Sequence, residues 1–486
     1  MQVLNKEITG KKERPVRVVQ FGEGNFLRAF VDYMIDIANE EGRFDGDIVL
    51  IKPIDFGSLE PFHRQDCQYT VSLRGMVGGQ ARVLDRQVTS VADAVDAYGE
   101  YEKYMALAEL DTLRFVVSNT TEAGIVFDDR DRFELEPPAS FPGKLTKFLH
   151  HRYEFFHGDP EKGLVMLPVE LIDDNGIMLK KCVLQLIGLW KLGEDFREWV
   201  EQACVFTSTL VDRIVTGYPR DTIEEEWEKL GYEDRLMVTG EPFALWVIES
   251  TRDISREFPL PEAGLPVIFT KDQKPYKQRK VRILNGAHTS FVPVSYLCGN
   301  DTVKESMDDS DIRNFMEKII YEEVIPTLTL PRQELEEFAE AVITRFNNPY
   351  VKHALLSISL NSVSKWRARC LPSLLGYVEQ RASLPPGLTF SLAALMAFYQ
   401  GRELRDKALI GHREGQEYSI LDDGNVLEFF RTHCQEDART FASAFLGRTD
   451  FWGRDLNSVK ELTEAVAGYL SDIRERGMRA ALCRIS

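Results

Sequence analysis

The thirteen residues VVQFGEGNFLRAF, positions 18 to 30, constrain this chain more than any other stretch. The β-branched run Val16 to Phe21 reads as a buried strand. The chain then turns through Gly22 and Gly24 and enters a helix. The helix carries its apolar residues at Phe26, Leu27, Phe30, Val31, Met34 and Ile35 on one stripe. A strand, a glycine turn and an amphipathic helix open an α/β unit with a parallel sheet. In such a turn the first glycine permits the bend, and the second lets the backbone approach a pyrophosphate. The helix N-terminus then offers free N–H groups and a positive dipole end. Leu27 stands where the third glycine of the usual fingerprint would be. Arg28, in the first helical turn, either contacts a phosphate or pairs on the surface.

The rest of the first half alternates strand and helix. Ile48 to Ile51, Leu113 to Val117, Leu164 to Leu167, Val205 to Phe206 and Val267 to Phe269 are strand candidates. Tyr69 to Leu73 and Ala81 to Val88 form an antiparallel excursion around the turn signal GMVGGQ. The second strand ends IVLIKPID, where an acid should hold the adenosine ribose. Asp55 is the nearest acid, beyond a proline. Lys52 is closer and would favour a 2′-phosphate, so spacing leaves NAD and NADP both open. The proline-rich stretch Glu257 to Pro275 marks a boundary. It divides the chain into a nucleotide-binding domain over 1–270 and a mainly helical domain over 271–486. In the second, Ile312 to Val324, Glu334 to Phe346, Leu388 to Tyr399 and Leu456 to Arg474 have helical spacing.

Charge now becomes informative. The net charge is −18, which argues against non-specific nucleic-acid binding. Against that background KDQKPYKQRKVR, Lys271 to Arg282, carries six positive charges, and an anionic ligand would need such a local pocket. The run continues into ILNGAHTS, so Lys280, Asn285 and His288 lie within nine residues. On an α-helix His288 would sit roughly 80° and Asn285 roughly 140° from Lys280, on one broad side. An amine of lowered pKa can exchange a proton with a substrate oxygen, an amide can donate to an oxyanion, and an imidazole can orient. The seven scattered cysteines form no CxxC pair, and the eight histidines show no metal-ligand spacing. No metal is therefore expected. The polar N-terminus lacks a signal core and no run is long enough for a membrane span, so the expectation is a cytoplasmic protein without a membrane partner.

The two motifs, in this order and some 260 residues apart, resemble the mannitol dehydrogenase family of polyol-specific long-chain dehydrogenases. GEGNFLRA (Gly22 to Ala29) matches its N-terminal turn, and KVRILNGAH (Lys280 to His288) its K-x4-N-x2-H signature. VSNTTEAGI, LVDRI, EPFALWVIE and RFNNP fit as landmarks between and beyond them. The resemblance implies an N-terminal Rossmann-type domain with an inserted antiparallel hairpin, a mainly helical second domain, and an active site between them. It implies a metal-free enzyme using NAD, held by Phe21, Gly22, Glu23, Gly24, Asn25, Phe26, Arg28, Asp55 and Thr121. Lys280, Asn285 and His288 would be catalytic. Asp212, from the VDRI motif, would tune the lysine, bind a hydroxyl or cap structure. A sugar acid would be the small-molecule partner, on a monomer or small homo-oligomer.

Within the family, QFGEGNFLRAF, PVELIDDNG, QRKVRILNGAHT and NSVSKWRARCLPSL look most like the branch that reduces D-tagaturonate to D-altronate in hexuronate breakdown. Fructuronate or mannitol-type polyol chemistry is the second reading, and a non-catalytic nucleotide sensor the third. Those alternative enzymes carry Cys-Asp-Asn where this chain has Val169-Glu170-Leu171. The family asparagine there helps hold the oxyanion, so either Asn175 replaces it or Asn285 acts alone. For the substrate carboxylate, Lys365 and Arg369 of SKWRARC are preferred, with Arg367, Lys277 and Arg279 as other candidates.

Overall fold

Strand β1 (Val16–Phe21) lies at the middle of a six-stranded sheet. The others are β2 (Asp47–Lys52), β3 (Val91–Asp96), β4 (Phe115–Ser118), β5 (Val165–Pro168) and β6 (Val205–Phe206). Their order is β3-β2-β1-β4-β5-β6, with every pair parallel. That is the order of a doubly wound dinucleotide-binding sheet. Alternation along β1 feeds two cores. Val18 packs with Phe30, Met34 and Trp246 on one face, and Val19 and Phe21 pack with Tyr104, Phe141 and Phe148 on the other. The computed structural model describes residues 1–121 and 123–485.

Two compact units are present: Met1–Val77 with Arg82–Gln273, and Lys274–Ser486 with Gly78–Ala81. In the first, strands Tyr69–Val77 and Gln80–Val88 form the inserted hairpin, turning at Gly78 and Gly79. Strand Ser208–Asp212 runs antiparallel to Leu245–Glu249, which is parallel to Val267–Thr270.

The second unit is mostly helical, but it also holds a three-stranded antiparallel sheet, Gly401–Arg405, Ala408–Arg413 and Gln416–Ile420. The mainly helical reading of this region holds, and the small sheet is an element the sequence reading did not include. Asp406 and Lys407 both take positive φ, at 50° and 65°. This is the primed hairpin turn usually signalled by Asn-Gly, and Lys407 disguises it.

Helix Pro386–Phe398 is buried from Gly387 to Phe398. Its first N–H groups have no partner within the helix, and Glu323 supplies one from elsewhere. The carboxylate accepts from Gly387 N at 2.7 Å and Leu388 N at 2.8 Å. Burial raises its pKa from 4.5 to about 7. Folded chain thus holds a proton between those values that unfolded chain releases, so this group makes stability fall as pH rises from 4.5 to about 7. Glu323→Ala should cost about 1–3 kcal/mol below that window, from two orphaned N–H groups, and should flatten this part of the pH profile. Denaturant unfolding across pH checks both, and an unaltered slope would remove Glu323 as its source.

Candidate functional site

The turn after β1 sits at the carboxyl end of the sheet, where open α/β sheets bind their ligands. Gly22 has φ +119°, and a Cβ there would meet Leu27 Cδ1 at 3.2 Å and the Asn119 carbonyl at 3.3 Å. Leu27 thus fills, from the third-glycine position, the space under the first. Gly24 differs: a Cβ there would meet nothing within 4 Å. The backbone at Gly24 faces an open place and leads into the helical run 25–40. This geometry fits a pyrophosphate lying on a helix N-terminus.

Several expected contacts need correction. Arg28 neither lies on the surface nor points at a phosphate position. Its guanidinium is buried, donating to the carbonyls of Glu23 (3.1 Å) and Leu236 and to Asn25 Oδ1 (2.7 Å), near the rings of Phe62 and Tyr69. It braces the turn from within. The Phe21 ring is core, packed on Phe141 at 5.1 Å, so only its backbone borders the crevice. Phe26 is half-buried and stacks on Phe30 at 4.9 Å. Glu23 is half-buried, and burial raises its pKa against the pull of Lys52 and Arg28. Lys52 is 2% exposed, and its amine is bonded to the carbonyls of Ile54 (2.8 Å) and Phe56 (3.3 Å) and to Asp96 (3.1 Å). It is therefore not offered to a 2′-phosphate. Asp55, one loop residue later than Ile54, is exposed.

Thr121 follows β4 with φ +117°, a strained conformation for a β-branched residue. The loop before it is held by Glu170. Its buried carboxylate accepts from Ser118 Oγ (3.1 Å), Thr120 N (3.1 Å) and Thr120 Oγ1 (3.0 Å). Leu171 is 68% exposed. Asn175 does not take the missing asparagine's place. It is fully buried; its Nδ2 donates to the carbonyls of Pro168 (3.0 Å), Glu170 (3.1 Å) and Thr209 (3.3 Å). Its Oδ1 accepts from the N–H groups of Gly176 and Thr209, both at 2.9 Å. No valence is left for an oxyanion. Asp212 ends its strand opposite Leu245 and is buried in the first unit.

In the second unit Lys280 opens a π-helical turn, Lys280–Asn285, continued by helix Gly286–Leu297. With i→i+5 bonding, residue 285 follows residue 280 by about one turn instead of standing 140° round. The amide is thereby drawn towards the amine's face. Lys280, Asn285 and His288 are all half-buried. Helix Ser362–Arg369 crosses this helix closely at Gly286, where a Cβ would lie 3.3 Å from the Arg369 carbonyl. Arg369 Nη1 donates to Thr289 Oγ1 at 3.3 Å, and Lys365 Nζ to the Ile358 carbonyl at 2.9 Å.

His288 is the centre of this arrangement. Its ring lies 4.2 Å from Phe346 and 5.5 Å from His353, centroid to centroid. Its Nε2 is buried without a hydrogen-bond partner. Burial, with His353, Arg345, Arg369 and Lys365 around it, holds its pKa well below 6.5. Arg345 and His353 were not singled out in the sequence, although Arg345 opens the RFNNP landmark. Much of the basic run faces elsewhere. Arg279 is buried over the Phe338 ring at 4.4 Å, and Arg282 bonds Ser373 (2.8 Å) and Thr327 (2.6 Å). Arg279 is thus removed as a carboxylate partner.

Comparison with known proteins accounts for both units. Residues 16–261 match the model of the mannitol dehydrogenase Rossmann domain, and residues 272–474 that of the mannitol dehydrogenase C-terminal domain. The chain belongs to the mannitol dehydrogenase family. It is an oxidoreductase acting on CH–OH groups. Among relatives within the mannitol dehydrogenase family, an altronate oxidoreductase of Yersinia enterocolitica is 45% identical over 493 residues, covering 100% of both chains. Those of Phocaeicola vulgatus and Bacillus subtilis are 44% and 43% identical, the alignments covering 98% and 99% of this chain and 98% of each relative. A substrate-free D-sorbitol dehydrogenase shares the fold at TM-score 0.80 and 22% identity, covering 99% of this chain and 100% of that one. Pseudomonas fluorescens mannitol 2-dehydrogenase shares it at 0.64 and 19%, covering 100% and 99%. Among the described residues no group of three or more His, Cys, Asp or Glu is placed to hold a metal ion, and no helix is long and apolar enough to cross a membrane.

Asn175→Ala should lower stability by about 1–3 kcal/mol, because buried carbonyls and N–H groups lose their partner. A denaturant midpoint equal to that of the unaltered chain would show that these bonds hold nothing together.

Proposed function

We propose that this protein interconverts D-tagaturonate and D-altronate with NAD as hydride carrier. The observation that carries the reading is the set of cations around His288, in a chain whose full-length relatives are named altronate oxidoreductase. A neutral polyol has no need of Lys365 and Arg369 together, whereas a uronate carboxylate is suited to them. NAD is preferred to NADP because Lys52 is bonded inward and Asp55 is exposed nearby. The mannitol 2-dehydrogenase of like fold was solved with NAD and D-mannitol, which agrees. Gly22, Gly24 and Asn25 would cradle the pyrophosphate by backbone, with Glu23, Phe26 and Thr121 bordering it and Asp55 on the ribose.

Bound there, the dinucleotide supplies the hydride to the ketone carbon, or accepts it in the reverse direction. Lys280 gives its proton to the new alkoxide, and as a neutral amine takes it back from altronate. Asn285 donates to the same oxygen, as the one side-chain amide in this role, since Leu171 cannot donate and Asn175 is engaged. His288, neutral, accepts a substrate hydroxyl at its unpartnered Nε2 and so orients the sugar. Lys365 and Arg369 hold the carboxylate. Asp212 acts on a hydroxyl or on the lysine. Metal-free chemistry in the cytoplasm completes the proposal.

Lys280→Ala should abolish turnover while NADH binding, followed by fluorescence, persists; loss of both together would make the lysine structural. Asn285→Ala should lower kcat by roughly 10²- to 10³-fold, the usual effect of one oxyanion donor. NADH oxidation against tagaturonate, fructuronate and fructose tests the substrate. Arg369→Ala should raise KM for the acids far more than for fructose, and an equal effect on all three would refute the carboxylate role.

A further inference from the structure

We propose that Asp422, joined to Tyr399, is a positioning residue for the substrate carboxylate: the pair sets the helix that carries Lys365 and Arg369. This rests on the reading of those two cations as the partners of a uronate. Helix Ser362–Arg369 begins without a cap of its own. The first N–H groups of a helix need acceptors from outside it, and an Asn at the N-cap normally supplies one. Here Asn361 lies in the left-handed region, at φ 52° and ψ 45°, and its side chain caps nothing. Two groups from farther along the chain take its place. Ser362 N donates to Tyr399 Oη at 3.2 Å, and Val363 N to Asp422 Oδ2 at 3.3 Å. Tyr399 in turn donates its hydroxyl proton to that same carboxylate oxygen at 2.5 Å. The hydroxyl thus accepts one bond and gives one, as its valences allow. The backbone adds a third tie, Asn361 N donating to the Leu421 carbonyl at 3.0 Å.

The pair stands on firm ground. Tyr399 is fully buried, follows helix Pro386–Phe398 and packs on Phe430 at 4.5 Å. Trp366 Nε1 joins the same two helices, donating to Ser391 Oγ at 3.1 Å. Leu421 and Asp422 directly follow strand Gln416–Ile420, so the small antiparallel sheet ends in this anchor. The part of the helix that it holds is the turn bearing Lys365. Lys365 N donates to the Asn361 carbonyl at 3.1 Å and Lys365 Nζ to the Ile358 carbonyl at 2.9 Å, while Ser362 Oγ donates to the Ser359 carbonyl at 2.7 Å. Backbone and amine of the lysine therefore both hang on residues at the anchored end. The same carboxylate favours the charged form of the amine, against burial and Arg369. Without the anchor the far end of the helix keeps its crossing at Gly286, but the first turn frays and Lys365 loosens. An arriving carboxylate must then order the lysine as it binds, at a cost in affinity.

Steady-state kinetics with tagaturonate and NADH tests this. Asp422→Ala should raise KM for tagaturonate about tenfold, as when one charged hydrogen bond to the acid is partly lost, with KM for NADH unchanged and kcat falling less than about twofold. Asp422→Asn keeps an acceptor for Val363 N without the charge, and should raise KM less. Tyr399→Phe removes the hydroxyl that joins the pair and should also raise KM. The double variant should be no worse than Asp422→Ala alone, because the two groups act as one unit. A merely structural role would shrink the folded fraction, lowering kcat and leaving KM in place. That pattern overturns the proposal, as do KM increases that add in full in the double variant. Tyr399→Phe keeps the ring and its packing, so it carries the test if Asp422→Ala does not fold. Unaltered enzyme that turns over tagaturonate, with variants of the same KM, sinks this inference alone; failure to turn over any uronate sinks the reading beneath it.

Discussion

The close crossing at Gly286 is the constraint on which the substrate end of this protein depends. Two helices hold the residues of the proposed chemistry, one with Lys280, Asn285 and His288, the other with Lys365 and Arg369. They meet where a single missing Cβ lets the Arg369 carbonyl approach, and where Cys370 Sγ reaches the Gly286 carbonyl at 3.6 Å. A side chain at 286 would push the second helix away by a fraction of an ångström. Hydrogen bonds weaken on that scale, so the already long bond from Arg369 to Thr289 would be strained. The π-helical turn just before the crossing works to the same end. It rotates Asn285 towards Lys280, and only a local change from i→i+4 to i→i+5 bonding does this without a break in the helix.

The nucleotide end is built by a different logic. Its open feature is backbone, at Gly24, while the charged side chains around it are turned inward. Arg28 ties the turn to the Leu236 carbonyl, Lys52 ties β2 to Asp96, and Glu170 ties down the loop after β4. Each of these groups is buried and hydrogen-bonded, as a buried charge must be. The result is a preorganised rim with few loose charges, suited to a ligand whose phosphates are met by N–H groups.

Much of this was legible in the sequence, and what was not has physical reasons. Strand β1 and the helix after it announced themselves through β-branched residues, two glycines and an apolar stripe. Lys280, Asn285 and His288 were singled out by spacing and by likeness, and they lie in one helical run. The direction in which a charged side chain turns was not legible. Arg28, Lys52 and Arg279 all read as surface or ligand contacts, yet each is engaged by protein acceptors or rings that come from elsewhere in the chain. Asn175 looked available for the same reason; its partners at Pro168 and Thr209 are set by tertiary packing. Arg345 lies at the end of a helix whose spacing was legible and His353 on the irregular stretch after it, but nothing local pointed to their convergence on His288. The sheet over residues 401 to 420 was hidden by charged residues and by a positive-φ lysine in its first turn.

On the proposed reading, selectivity for an acid over a polyol would follow from what it costs to hold cations close together. Lys365 and Arg369 stand near one imidazole, are partly stripped of water, and repel one another, the guanidinium lowering the pKa of the amine. A neutral polyol of the same shape would bury them further without relieving that repulsion. An acid relieves it with one carboxylate. Discrimination would then arise less from any single hydrogen bond than from the penalty left standing when the wrong ligand binds, which is the stronger kind of selectivity. The same argument explains why Arg369 is fixed to Thr289 and not left to swing: a cation already oriented loses little freedom when the carboxylate arrives, so more of the electrostatic gain survives as affinity.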